Sequence, residues 1–187
     1  MKSARSVIMI ALIGLVVSLP ILAQTEGKET AQAPVFGPPA EMSQVAKFIG
    51  TWKYHGEMRM DPTAEWTMHD ATAVFGLVCG GAVLQEDYSG PMMGMEMKGL
   101  CLIGYDRETK KWQAVWTDNF GARLSIYEGD FADGKLVTSG KDLMQGATMF
   151  TRTTFFEITD KSMKWTMENS MDGQNWFISM QGTYTKQ

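Results

Sequence analysis

The chain has 187 residues, of which 44% are hydrophobic, 11% aromatic and 20% charged. That composition fits one globular domain with a real core and excludes a disordered or fibrous chain. The formal charge is −4, from 17 basic and 21 acidic residues, and no basic stripe is visible, so nucleic acid is not an expected partner.

Residues 1–23 read as a secretory signal peptide. Lys2 and Arg5 give a positive start, Val7 to Val17 is an apolar run, Pro20 breaks it, and Ala23 is a small residue suited to the cleavage position. A spanning anchor is the weaker reading, because a membrane helix needs about 20 apolar residues and this run is shorter. No Cys follows the run, so a lipid anchor is not expected either. The expectation is a secreted or periplasmic protein with no stable membrane anchor after cleavage. Residues 24–40 read as a flexible linker that stops at Pro38-Pro39, and 41–187 as the folded domain.

Glu41 to Ile49 is the one predicted helix, with Met42, Val45, Ala46 and Ile49 as its apolar stripe and Gly50 just past its end. From Thr51 the hydrophobic period becomes two. Trp52, Tyr54, Met58 and Met60 alternate with Thr51, Lys53, His55, Glu57 and Arg59, which is a strand with one buried face. Strands are predicted over Trp66 to Gly76, Val83 to Tyr88, Met95 to Tyr105 and Trp112 to Thr117. Further strands follow over Arg123 to Glu128, Lys135 to Ser139 and Met149 to Ile158, with two more built on Met163 to Met167 and Trp176 to Met180. Gly80-Gly81, Asp133-Gly134 and Asp172-Gly173 supply tight turns between antiparallel neighbours. No βαβ pattern appears. About eight to ten strands joined as hairpins expose their edges unless the sheet closes. The predicted fold is therefore all-β, an antiparallel up-and-down barrel with one short N-terminal helix, and a sandwich is the alternative.

Gly50-Thr51-Trp52, after a short helix and opening the first strand, resembles the Gly-x-Trp signature of lipocalins and other calycins. A resemblance over most of the domain is carried by the same triplet, Gly80-Gly81, Tyr88-Ser89-Gly90-Pro91-Met92-Met93-Gly94-Met95, Gly104-Tyr105-Asp106 and Lys110-Lys111-Trp112. These resemble the domain-of-unknown-function 1579 family. The resemblance implies a calycin-like barrel and brings no settled activity. Cys79 and Cys101 depart from the family pattern.

Two readings of those cysteines stand: a disulfide, which an exported protein permits, or two thiols in a stable core. Met92, Met93, Met95 and Met97 make a soft thioether cluster that suits Cu(I), so a periplasmic Met-rich copper protein is an alternative to a barrel carrier. Met also fills irregular apolar space, and 16 of them run through this chain. His55 and His69 each stand alone and read as solvated. Arg152 shares phase with Phe150, Phe156 and Ile158, which points it inward. The lipocalin resemblance implies that such a late-strand Arg packs on Trp52, and the other reading is a counter-charge for an acidic ligand. Glu86 shares phase with Leu84 and Tyr88: one reading points it inward as a partner for Arg152, and the other turns the Val83, Gln85 and Asp87 face inward instead.

Trp52, Tyr54, Glu86, Tyr88, Tyr105, Trp116, Arg152 and Trp165 are the candidate ligand-binding residues, with Trp176 in the same predicted phase. An interior of aromatic and Met side chains with a few polar groups suits a small apolar or amphipathic molecule. It also suits a closed core, which leaves a structural or interaction module as a further reading. No Ser-His-Asp or Cys-His arrangement has support, and no Gly-rich loop opens a helix, so neither a catalytic residue nor a cofactor is expected.

Overall fold

A computed structural model describes residues 35–144 and 146–187. The predicted signal peptide, most of the predicted linker and Gln145 lie outside the described residues. Among the described residues ten strands form one antiparallel sheet: β1 (Gly50–Met58), β2 (Thr67–Val78), β3 (Val83–Met92), β4 (Met95–Asp106), β5 (Lys111–Asp118), β6 (Ser125–Ala132), β7 (Lys135–Met144), β8 (Ala147–Phe156), β9 (Ser162–Ser170) and β10 (Phe177–Lys186). Each strand pairs with its neighbour in chain order, and β1 pairs with β10, so the barrel closes as an up-and-down meander. The closing register sets Trp52 opposite Lys186 and Tyr54 opposite Tyr184.

The hairpin turns explain the short connections. Met93 and Gly94 have φ of 51° and 77° between β3 and β4, and Asp133 and Gly134 have 51° and 72° between β6 and β7. Two consecutive positive φ values match the right-handed twist of the strands they join. The β9–β10 connection is longer than the two-residue hairpin expected there. Asp172 organises it, accepting from the backbone N–H groups of Gln174 and Asn175 at 2.8 Å each.

The predicted N-terminal helix forms over Ala40–Phe48 as a 3₁₀ helix rather than an α-helix. Its buried residues are Met42, Val45 and Phe48, while Ala46 and Ile49 are exposed. The reason is its pitch: at three residues per turn, positions three apart align, so the stripe runs i, i+3, i+6. This helix plugs one end. Phe48 meets Phe75 and Phe155 edge-on at centroid separations of 5.8 and 5.1 Å. Beside it Trp52 is fully buried and donates its indole N–H to the Phe48 carbonyl at 2.7 Å. The cation over the Trp52 ring is Lys186, 5.0 Å from the centroid.

Arg152 does not reach Trp52. The inward residues of β8 are Met149, Thr151, Thr153 and Phe155, and the Phe150, Arg152, Phe156 phase faces out. Phe150 and Phe156 lie under Lys141 and Lys164 at 5.1 and 6.0 Å. Hydrophobic alternation misleads on this strand because its inner face borders a cavity and carries hydroxyls, while its outer aromatics are covered by lysine stems. One residue of phase exchanges the two faces of a strand. Trp176 is outside too, stacked under the Arg152 guanidinium at 4.5 Å. A bulge between Ile178 and Met180 breaks the predicted phase of β10, so that Ser179 and Met180 both face the interior.

Candidate functional site

The barrel has a filled half and an open half. The filled half, above the 3₁₀ helix, holds Phe75, Leu84, Ile103, Trp112 and Met163. The β1–β2, β3–β4, β5–β6, β7–β8 and β9–β10 connections all fall at the opposite end, where the structure leaves a cavity of about 500 Å³. That lies within the roughly 300–1,000 Å³ of small-molecule sites.

Glu86, Tyr88, Trp116 and Trp165 line this cavity, as their strand phases predicted. Trp52, Tyr54, Tyr105 and Arg152 do not border it. Trp52 is spent on the closed end. Tyr54 is sandwiched among Tyr184, Tyr88, His69 and Trp165, at centroid distances of 4.9 to 6.3 Å. Tyr105 packs edge-on to Trp112 at 5.7 Å, on the filled side. Arg152 makes a two-pronged ion pair with Glu168, at 2.8 and 2.9 Å, on the outer wall.

Glu86 is 4% exposed and crosses the interior toward β10, where the Tyr184 hydroxyl donates to its Oε1 at 3.3 Å. Its expected partner, Arg152, is absent from it. Burial pushes the Glu86 carboxyl up to about 8, against which the Tyr184 hydrogen bond pulls down and the nearby Asp87 charge pushes up. The Tyr184 hydroxyl is itself raised, first by burial and then by Glu86. Next to it, Tyr88 bonds His69 Nε2 through its hydroxyl at 2.6 Å, and His69 Nδ1 lies 3.1 Å from the Pro91 carbonyl. These partners fit a neutral ring that donates from Nδ1 and accepts at Nε2. Burial lowers the His69 pKa, consistent with that form.

His69 is thus not solvated as expected: it is 3% exposed. The signal was present in the sequence, because His69 alternates in phase with Ala71, Ala73 and Phe75, all of which face the core of β2. His55 is on the outer face, paired with Asp70.

The cavity wall on β7 to β10 carries hydroxyl and amide groups. Thr138 and Thr153 share a hydrogen bond of 2.8 Å, Thr151 donates to Asn169 at 3.1 Å, and Asn169 donates to Ser179 at 2.9 Å. These groups satisfy one another, and the charged residue of this wall, Asp142, accepts from the Tyr127 hydroxyl at 2.8 Å and lies near Arg123. Threonine on a cavity wall gives no hydrophobic period, which is why sequence reading passed over these residues.

Toward the mouth the lining turns to thioethers, and nine of the residues bordering the cavity are methionine. Met92, Met93 and Met97 are among them, whereas Met95 is 60% exposed and borders nothing inside. The Met92 to Met97 segment is a hairpin tip whose side chains diverge to both sides of the sheet, not one thioether face. Arg59 and Arg123 also stand at the mouth. Arg59 donates to the Ile178 carbonyl at 2.8 Å, and Arg123 to the Leu143 carbonyl at 2.6 Å. Trp116 is pinned by its indole N–H to Asp118 at 2.8 Å.

Cys79 and Cys101 are both free thiols in this structure, and of the two only Cys101 lies in the core. Cys101 lies opposite Glu86 in the β3–β4 register and is buried, and burial raises its thiol well above the usual range. Cys79 is exposed, at φ 52° in the turn before β3.

A closed antiparallel barrel with a Gly-x-Trp element at its plugged end and a cavity at the other defines a calycin-like barrel. The chain belongs to the DUF1579 family, described as proteins of unknown function, which it matches over residues 37–186. Among solved structures it is similar to a protein of unknown function of the DUF3598 family from Nostoc punctiforme PCC 73102, with 12% identity and a TM-score of 0.45. That match covers 76% of this chain and 48% of the other, so the chain spans about half the length of that protein. No curated protein matches it.

Proposed function

We propose that this protein binds and carries a small, largely apolar molecule inside the barrel. The observation that supports this is the interior volume of about 500 Å³, bordered by aromatic and methionine side chains above a floor of Glu86, Phe155 and Tyr184. A barrel whose only task is structural gains by filling that space, since each lost packing contact costs stability. Here the small and hydroxylated residues Ala114, Thr138, Thr151 and Thr153 face it instead. Methionine suits a site that adapts to its contents, because its unbranched thioether repacks at low cost. The carrier acts outside the cytoplasm, a reading supported by the charge, apolar run and small cleavage residue of residues 1–23.

Trp116 and Trp165 report directly on occupancy. Titration with a panel of alkyl and aromatic probes should quench or shift their emission to a saturable end point, and Thr138→Leu with Thr151→Leu should abolish the response by filling the space. A flat titration across the panel overturns the carrier reading.

A further inference from the structure

The floor of the cavity holds a carboxyl group and no cation. Glu86 takes part in none of the ion pairs found among the described residues. Its single hydrogen bond, from Tyr184 to Oε1, is long at 3.3 Å, and its second oxygen has no partner among the described residues. The groups that face it are Tyr184, Tyr88 and Cys101, none of which can carry positive charge, and Asp87 follows it on the strand. His69 is already engaged at both ring nitrogens. The arginines of the mouth are committed to backbone carbonyls.

A carboxylate in such a place is costly unless a cation reaches it. Among the described residues none reaches it, and the cavity leads to it from the open end. We propose that the ligand is an amphipathic amine, whose ammonium group pairs with Glu86 while its apolar body runs through the methionine-lined shaft toward the mouth. This deepens the carrier reading and rests on it.

The chemistry discriminates among head groups. An ammonium donates charge-assisted hydrogen bonds, about twice as strong as neutral ones. A hydroxyl donates a neutral one. A ligand carboxylate finds a protonated Glu86 near neutral pH and can share only that one proton, so the pair keeps an uncompensated negative charge in a low-dielectric site. Burial holds the empty Glu86 carboxyl up to about 8, so near neutral pH the arriving ammonium displaces a proton to solvent as the ion pair forms. The thioether shaft adapts to the chain, so selectivity falls on the head group.

The test is Trp fluorescence titration of the full chain at neutral pH with decylamine, decanol and decanoate, on the wild type and on Glu86→Gln. In the wild type, decylamine should bind about tenfold tighter than decanol, a difference of about 1.4 kcal/mol, with decanoate weakest. Glu86→Gln should bring decylamine to the level of decanol and leave decanol unchanged. Decanoate binding as tightly as decylamine in the wild type overturns the inference without any variant. So does an amine preference that survives in Glu86→Gln. Saturable binding with no order among head groups removes the amine assignment and keeps the carrier. Absence of binding by all three probes removes both.

Discussion

The indole of Trp116 lies against Gly99 on the neighbouring strand, in the space a side chain there would occupy: a Cβ on Gly99 would clash with the far edge of the ring. Trp116 follows Val115 on β5, and its register partner on β4 is Cys101, so the ring reaches diagonally across the ladder. The same device recurs where Tyr54 covers Gly182. Glycine on one strand thus sets the angle of an aromatic on the next, and through Trp116 it shapes the cavity wall. Gly99→Ala should push Trp116 out of place, cost about 2 kcal/mol in urea unfolding, and shift the Trp emission maximum of the folded protein.

Glu86 gives stability a defined pH dependence. Its carboxyl moves from an ordinary 4.5 to about 8 on folding. Between these values the folded state keeps a proton that the unfolded chain releases, so this group makes stability fall as pH rises, with the full penalty reached above about 8. His69 acts oppositely on the acid side: its lowered pKa means the unfolded chain takes up the proton first, and stability falls as pH drops below the ordinary 6.5. The difference in melting temperature between Glu86→Gln and the wild type isolates the first effect. It should grow in favour of Glu86→Gln from acid to alkaline pH and be largest above pH 8.

The closed end carries a second test. Trp52→Phe removes the hydrogen bond to the Phe48 carbonyl, leaves that acceptor buried, and weakens the contact with Lys186, since a phenyl ring holds a cation less well than an indole. It should cost about 3 kcal/mol. Lys186→Met should cost about 1 kcal/mol through the lost cation–π contact. Arg152→Met should leave the closed end untouched and cost less than about 1 kcal/mol, since its ion pair with Glu168 is on the outer wall. Chemical denaturation of the three variants checks the order.

The thiols differ in reach. A thiol reagent should label one cysteine in the folded protein, Cys79, and two after unfolding. Reducing agent should leave the melting temperature unchanged. Loss of the single fast-reacting thiol in Cys79→Ser assigns it.

Much of the architecture was legible from the sequence, because alternation on β1 to β5 is enforced by burial on one side only. Trp52, Tyr54, Glu86 and Trp116 take the faces their phases predict. Reading failed where the inner face stopped being hydrophobic. On β8 the cavity side is Thr151 and Thr153, and the aromatic residues Phe150 and Phe156 sit outside under lysines. Tyr184 was not singled out, because its role depends on meeting Glu86 across 98 residues of chain. The 3₁₀ pitch of Ala40–Phe48 was equally invisible, since Met42 and Val45 fit either helix and only the burial of Phe48 separates them.

The pairing of β1 with β10 has a consequence for assembly. Every other ladder joins neighbours in the chain and can zip as a local hairpin, whereas this seam brings Trp52 and Lys186 together over the longest loop in the domain. Until β10 arrives, whether from the ribosome or during refolding, β1 presents a row of unsatisfied backbone groups that a second molecule could pair with. A chain cut before Phe177 would keep that edge permanently, and self-association rather than simple unfolding is the outcome to watch for.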